Sequence, residues 1–196
     1  MLLKARVRIK LRKLKYYLKG KKVTFIPTAA IHEKINFYVK SGKKALEKMG
    51  LVVDELEVST APASEIADKL RNNDLIYVTG GNTFFLLQEL KKMGGDKLIT
   101  EQINLGKLYI GESAGSMILS PNIEYVKAMD NHEEAPGLIE FSALNIVDFY
   151  PLPHHTNFPF KKVVEKIISQ YESDLLLKPI SNSKAILVNG DDIEVK

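Results

Sequence analysis

A serine lies between two glycines where one apolar segment gives way to another. In "KLYIGESAGSMIL", residues 107–119, Gly111, Ser113 and Gly115 follow the spacing G-x-S-x-G. Glycines on both sides allow a sharp strand-to-helix turn that exposes the serine hydroxyl, and the start of the helix favours a developing negative charge. The segment therefore predicts a nucleophilic Ser113, with a plain glycine-rich turn as the alternative interpretation.

A serine hydroxyl needs a base to attack a carbonyl near neutral pH, and the chain has four histidines. His154 and His155 follow an apolar segment and a proline, at the end of a predicted strand, so this pair holds the candidate base. His32 begins a predicted helix and His132 lies in a charged loop, so both are interpreted as surface residues. A metal site formed by histidines and neighbouring acids is the rival hypothesis, but no H-E-x-x-H spacing supports it. No metal is expected.

The base needs a group that orients it, and a carboxylate is the usual one. Candidate acids lie between the serine and the histidines, in a polar loop and just before the histidine segment. They are Asp130, Glu133, Glu134 and Asp148. The residues alone do not choose among these acids.

Strands and helices alternate around these residues. Predicted strands lie within 21–30, 51–59, 74–78 and 107–111. Predicted helices cover about 33–49, about 62–73 and the residues after Gly81, and Ser64 is the expected N-cap of the second helix. Such alternation indicates an α/β fold of three layers, with a mostly parallel central sheet and helices on both faces. A helix is predicted over about 160–171, and Asn189 with Gly190 predicts a C-terminal β-hairpin.

The basic character of the chain is confined to its N-terminus. Residues 1–22 hold ten Lys or Arg and no acid, so the formal net charge of +4 becomes −6 for the remainder. The apolar positions of this segment step by three and four, which favours a helix ended by Gly20; a strand is the alternative. The stripe consists of Leu3, Val7, Leu11, Leu14 and Leu18. A nucleic-acid partner for this segment would be a third function class, but a solvated helix face is preferred.

Composition narrows the class of protein. A chain of 196 residues fits one domain, taken here as residues 1–196 with an atypical basic segment at 1–20. The absence of cysteine excludes disulfides, thiolate metal ligands and a cysteine nucleophile. No apolar run suggests a membrane span and the N-terminus is not typical of a secretory signal, so a cytoplasmic protein without membrane or nucleic-acid partners is expected. A homo-oligomer is expected on general grounds only.

Three segments together resemble the peptidase E family of serine peptidases, which includes aspartyl dipeptidase and cyanophycinase. They are "VTGGNTFFLLQEL", "IGESAGSMIL" and "PLPHHTNF", in family order. The resemblance runs from about residue 21 to the C-terminus. It implies a class I glutamine amidotransferase-like α/β fold and hydrolysis of peptide bonds next to aspartate in short substrates. No cofactor is implied.

The resemblance also implies roles for particular residues. Ser113 takes the place of the family's nucleophile and His154 that of its base. The family's acid falls on Asp130, or on Glu133 or Glu134 with a different loop register. The oxyanion-hole donors would be the N–H groups of Gly81 and Ala114, and the implied substrate-binding residues are Asn82, Glu112 and Asn157.

The chain departs from the family pattern in three places. The family usually opens with a strand and a turn rich in serine or threonine, whereas this chain opens with a basic stripe. Glu112 stands where many relatives have a neutral residue, and Thr79 where glycine is common. A catalytically degenerate relative that binds a ligand or partner is therefore the main alternative to a peptidase, and a serine hydrolase of the α/β-hydrolase type is the enzymatic alternative.

Overall fold

The computed structural model of the chain describes residues 2–4, 18–34 and 36–196. Its strands are β1 (Leu2–Lys4), β2 (Lys22–Ile26), β3 (Val52–Glu55), β4 (Leu75–Val78), β5 (Leu108–Gly111), β6 (Tyr150–Leu152), β7 (Leu177–Pro179), β8 (Ile186–Asn189) and β9 (Asp192–Val195). Seven of them form one sheet in the order β3-β2-β4-β5-β1-β8-β9. The other two, β6 and β7, form a separate parallel pair.

The helices are α1 (Phe37–Lys48), α2 (Ala63–Asn72), α3 (Thr83–Met93), α4 (Gly95–Asn104), α5 (Ala114–Met117) and α6 (Lys161–Tyr171). Within residues 18–34 and 36–196, three short 3-10 turns cover Thr28–Ala30, Glu124–Val126 and His132–Glu134. In the described ranges, no helix has the length and apolar character needed to cross a membrane.

The main sheet is mostly parallel, as predicted. Strand β2 pairs in parallel with β3 and β4, and β4 pairs in parallel with β5. Strand β1 runs antiparallel to β5, and β8 with β9 forms the predicted C-terminal hairpin. Because β3 and β4 flank β2 on opposite sides, the crevice beyond the carboxyl ends of β2 and β4 is where an α/β sheet ordinarily binds ligands.

Alternate residues of the central strands pack on opposite faces of the sheet, as the period of two requires. In β4, Leu75 and Tyr77 belong to the apolar cluster that includes Leu46 of α1. Ile76 and Val78 belong to the larger cluster on the other face, which holds apolar side chains of α2, α3, α4, α5 and α6. Helices therefore cover both faces, which confirms the predicted α/β layers.

Two local predictions are corrected. Leu3 lies in β1, which pairs with β5 and β8, and so it is not helical. The other predicted helical positions between residues 5 and 17 lie outside the described residues, while Gly20 follows the buried Leu18 with φ +79°. Ser64 is not the N-cap of α2, because Pro62 occupies that position and no side chain caps the helix.

Candidate active site

Ser113 occupies a strained backbone position between β5 and α5. Its φ of 43° and ψ of −109° lie in a region that L residues rarely adopt, and such a conformation costs on the order of 1–3 kcal/mol. The N–H of Gly115 donates to the carbonyl of Glu112 at 2.8 Å, and the N–H of Met117 donates to the carbonyl of Ser113 at 3.0 Å. These hydrogen bonds hold the turn that presents the serine hydroxyl.

The two glycines of the motif are required by space. A Cβ on Gly111 would lie 2.3 Å from the carbonyl oxygen of Gly115, and a Cβ on Gly115 would lie 2.4 Å from that of Val78. Both distances are far inside van der Waals contact. The spacing G-x-S-x-G thus reflects how closely α5 approaches the ends of β4 and β5.

His154 follows β6 and reaches Ser113 from the separate two-stranded sheet. Its Nε2 lies 2.9 Å from the Oγ of Ser113. Phe160 stacks on the imidazole, with ring centroids 4.5 Å apart and planes 22° from parallel. Burial lowers the pKa of His154, and the hydrogen bond that Asn182 Oδ1 accepts from the ring acts in the opposite direction. The ring is therefore biased toward its neutral form, in which Nε2 can accept a proton.

The other ring nitrogen of His154 faces an amide. The Nδ1 atom lies 2.7 Å from the Oδ1 of Asn182, which follows β7. The parallel pairing of β6 with β7 brings the loops after both strands together, and the N–H of His155 donates to the carbonyl of Ile180 at 3.0 Å. Sequence reasoning missed Asn182, because only the pairing of two short strands places it beside the histidine.

Asp130 does not contact His154, and this corrects its predicted place as the acid of the triad. Its carboxylate accepts hydrogen bonds from the N–H of Thr83, at 2.9 Å, and from the Thr83 hydroxyl, at the start of α3. Burial raises the pKa of Asp130 to about 6; Glu33 and Glu134 add to this, and the Thr83 hydrogen bonds oppose it. The alternatives Glu133 and Glu134 are exposed in a 3-10 turn.

The raised pKa of Asp130 predicts a pH-dependent stability. Its folded-state pKa exceeds the ordinary value, so the folded chain keeps a proton that the unfolded chain releases, and stability from this group is lost as pH rises from about 4 to 6. Asp130→Asn keeps an oxygen acceptor for Thr83 and cannot ionise. We expect it to raise the free energy of unfolding by about 1–3 kcal/mol at pH 8 and by roughly a third of that at pH 4.5. Urea unfolding at both pH values measures this, and an equal gain at both would contradict the explanation.

The predicted oxyanion donors lie on two adjoining turns. Gly81 has φ +133°, and a Cβ there would lie 2.0 Å from the carbonyl oxygen of Ala29. A Cβ on the preceding Gly80 would lie 3.1 Å from the Cβ of Ser113, so this turn packs against the serine. Within the described part of the chain, neither the N–H of Gly81 nor that of Ala114 donates to another backbone carbonyl. Both N–H groups therefore lack a backbone partner among the described residues, although Ala114 is buried.

The three residues predicted to bind substrate have contacts within the protein. Asn82 is the N-cap of α3 and is buried; its Oδ1 accepts from the N–H of Phe85, and its Nδ2 donates to the carbonyl of Asn131. Asn157 accepts a hydrogen bond from the N–H of Asn182 at 2.8 Å. Burial raises the pKa of Tyr77 and the nearby Glu112 carboxylate adds to this shift, so Glu112 lies close to Tyr77 on the α1 face of the sheet.

Three acidic side chains lie close enough to Tyr38 of α1 to affect its pKa. Burial raises the pKa of Tyr38 to about 12, and Glu33, Asp130 and Glu112 contribute to this shift. The first residue of α6 is Lys161, directly after Phe160; its side chain is exposed and its Nζ lies 3.9 Å from the Glu165 carboxylate. Among the described residues, no group of three or more potential ligands could hold a metal ion.

Comparison with known proteins places this arrangement in a family. The profile of peptidase family S51 matches residues 5–196. An uncharacterized peptidase of Listeria innocua is 58% identical over 179 residues, which cover 91% of this chain and 86% of the relative. A peptidase E of Shewanella denitrificans is 35% identical over 138 residues, which cover 70% of this chain and 55% of the relative.

Solved structures agree with this placement. The crystal structure of a Listeria monocytogenes protein described as a peptidase E candidate aligns with a TM-score of 0.90 and 51% identity, covering 100% of this chain and 96% of that one. A peptidase from an acI-B1 actinobacterium, at 24% identity and a TM-score of 0.61, shares the fold and covers 100% of this chain and 82% of its own. The family predicted from the three motifs is confirmed, and the chain belongs to peptidase family S51, a family of serine-type peptidases.

Proposed function

We propose that this peptidase hydrolyses short peptides through an acyl-enzyme, with Ser113 as nucleophile and His154 as general base. The observation that carries the proposal is the 2.9 Å contact between Ser113 Oγ and His154 Nε2 at a strained strand-to-helix turn. A catalytically degenerate protein that only binds a ligand would have no need to maintain this strain beside a histidine. The contact therefore favours an enzyme over the binding-protein alternative.

The steps follow from the positions of the groups. His154 Nε2 takes the proton of Ser113 as Oγ attacks the scissile carbonyl carbon, and the C–N bond breaks as the same proton passes to the leaving amine. The N–H groups of Gly81 and Ala114 donate to the oxyanion of the tetrahedral intermediate. Water, activated by His154, then attacks the acyl-enzyme, and the serine hydroxyl is regenerated.

The charges around Ser113 support a short substrate with an aspartate before the scissile bond, which is the preference implied by the family resemblance. Glu33, Glu112 and Asp130 produce a negative potential on one side, suited to the free ammonium group of a peptide N-terminus. The N-terminus of α6, which begins directly after the Phe160 ring that stacks on His154, gives a positive potential on that side, suited to a carboxylate. A dipeptide with N-terminal aspartate has both groups on one residue.

A matched set of dipeptides tests this substrate class. We expect kcat/KM for Asp-Leu to exceed that for Asn-Leu by at least about tenfold, because only the aspartyl side chain carries the charge, and N-acetyl-Asp-Leu to be hydrolysed more slowly. Lys-Leu serves as the opposite-charge control. Release of free leucine, measured by chromatography, gives each rate.

Other outcomes of the same assay point to the alternatives. Faster cleavage of Lys-Leu than of Asp-Leu would overturn the proposed preference for aspartate, but the protein would still be a peptidase. Hydrolysis of p-nitrophenyl esters without hydrolysis of any peptide would favour the α/β-hydrolase type of chemistry. Failure to hydrolyse peptides and esters, with no reaction toward a fluorophosphonate, would favour the binding protein.

A further inference from the structure

An exposed phenylalanine lies in the loop that carries the base. Phe158 is four residues after His154, and among the large apolar side chains of the described residues it is the most exposed, at 94%. We propose that Phe158 determines specificity on the leaving-group side, where its ring packs against an apolar side chain of the residue that follows the scissile bond. This role rests on the proposed function of the same site.

The loop is attached to His154 on both sides of Phe158. Before it, the N–H of Asn157 donates to the carbonyl of His154 at 2.9 Å, and the Oδ1 of Asn157 accepts from the N–H of Asn182 at 2.8 Å. After it, the ring of Phe160 stacks on the imidazole with centroids 4.5 Å apart. Two residues of chain span at most about 7 Å, so the Cα of Phe158 lies within that distance of the Cα of Phe160. The exposed ring is therefore held close to the base.

The backbone of this loop is also strained. His154 has φ +66° and Thr156 has φ +67°, in the left-handed region that residues other than glycine rarely adopt. Such conformations persist only where the surrounding contacts impose them, and they are concentrated at sites that bind ligands or react. The loop therefore holds Phe158 in a defined position while its ring faces water.

The reaction places the leaving group beside this loop. The proton that His154 Nε2 takes from Ser113 passes to the nitrogen of the leaving amine, and this transfer requires a distance of about 3.2 Å or less between the two nitrogens. The residue that carries the leaving nitrogen must therefore lie on the histidine side of the scissile bond. An apolar side chain on that residue is the part of the substrate that can cover the ring of Phe158.

The surface of the loop fits an apolar side chain better than a charged one. Single exposed apolar residues are ordinary on proteins, so the position of Phe158 beside the base, and not its exposure alone, identifies what covers it. Pro159 is also exposed and extends the apolar surface. Residues 156–160 include no Asp, Glu, Lys or Arg. Covering the ring removes apolar area from water, and an aromatic partner gains further from ring packing, whereas glycine covers almost nothing.

Two dipeptides that differ only in the second residue test this role. We expect kcat/KM for Asp-Phe to exceed that for Asp-Gly by at least about tenfold in the wild type, and Phe158→Ala to reduce this ratio by about five- to tenfold. Phe158→Tyr keeps the ring and should retain the ratio. The same comparison of Lys-Phe with Lys-Gly makes the result independent of the first residue.

Leu105→Ala is the matched control. Leu105 is also an exposed apolar residue, at 72%, but it follows α4 and precedes β5, whose opposite end leads to Ser113. We expect this variant to keep the wild-type ratio of the two rates. Losing an exposed apolar side chain at the far end of the sheet thus separates a general surface effect from a contact with the substrate.

Binding to an inactive variant gives a second readout that does not depend on hydrolysis. Ser113→Ala lacks the nucleophile and should keep the surface of the histidine loop. We expect calorimetry to show that Asp-Phe binds this variant at least about tenfold more tightly than Asp-Gly, and that adding Phe158→Ala removes most of the difference.

The outcomes separate the role of Phe158 from the proposed function. A preference for Asp-Phe that persists in Phe158→Ala, or equal losses for both dipeptides, overturns the role even if peptides are hydrolysed. An unchanged ratio with a change of oligomeric state in light scattering would show that a second copy of the chain covers the ring, and also overturns it. Binding that depends on Phe158, in a wild type that hydrolyses no peptide, supports the apolar contact and overturns the catalytic proposal. Neither binding nor hydrolysis overturns both.

Discussion

Ser113→Ala is expected to abolish covalent labelling by a fluorophosphonate and to lower kcat for dipeptide hydrolysis by about 10⁴- to 10⁶-fold. The reason is that Oγ of Ser113 is the atom 2.9 Å from His154 Nε2, and alanine leaves no nucleophile at the turn. Intact-protein mass spectrometry measures the adduct, and chromatography measures the peptide products. A residual rate would reflect the oxyanion donors and substrate binding alone.

Ser169→Ala is the matched control for this replacement. Ser169 lies on α6, and its exposed hydroxyl donates to the carbonyl of Lys166 at 2.9 Å, away from the histidine. We expect this variant to keep the single adduct and the wild-type rate. An adduct that survives in Ser113→Ala, mapped to another serine by proteolysis, would assign the nucleophile elsewhere and contradict the proposed function.

The contact between Ser113 and His154 could be predicted from the sequence because the signals for both residues are local. Gly111 and Gly115, each two residues from Ser113, stand where a Cβ would clash with the backbone, and the apolar segment before them predicts the strand. His154 follows a short strand and a proline, so its position at the end of a sheet element is also visible locally. The layered α/β fold could also be predicted, because the periodicity that distinguishes strands from helices is local.

The partners of these residues could not be predicted because they depend on distant pairing. Asn182 is 28 positions from His154, and only the separate β6 and β7 sheet brings it to the ring. Asp130 is one of the acids in the loop between the serine and the histidines, but its carboxylate contacts Thr83, 47 positions away at the start of α3. Local patterns carry no signal for either contact.

The N-terminal strand shows that a local pattern can predict the wrong type of secondary structure. Leu3 belongs to an apolar stripe with helical spacing, yet β1 lies between β5 and β8 and pairs with both. Backbone hydrogen bonding to two neighbours outweighs a weak local preference for helix, because propensity differences are small per residue. The hydrophobic pattern of a segment is therefore a poor guide to its secondary structure when the segment pairs with strands that are distant in the sequence.

Gly115→Ala is expected to destabilise the protein by about 3 kcal/mol or more, reversing the ordinary effect of this change in a helix. Alanine is usually preferred to glycine within helices by up to about 1 kcal/mol. Here the new Cβ would lie 2.4 Å from the carbonyl oxygen of Val78 and 2.9 Å from the Val78 carbonyl carbon, which are backbone atoms that cannot rotate away. Relief requires α5 to move from β4, and that movement displaces Ser113. The free energy of unfolding measured in urea and the rate of fluorophosphonate labelling should therefore both decrease.

Gly95→Ala is the control that isolates the steric argument. Gly95 is also helical and buried, but the nearest atom to a Cβ there is the Cδ2 of Leu90 at 3.1 Å, the end of a flexible side chain. We expect its free energy of unfolding to stay within about 1 kcal/mol of the wild type, with labelling unchanged. If Gly115→Ala were as stable as Gly95→Ala, α5 would not be pressed against β4 as described. If it were stable but unlabelled, the second glycine of the motif would be needed for the geometry of Ser113 more than for folding.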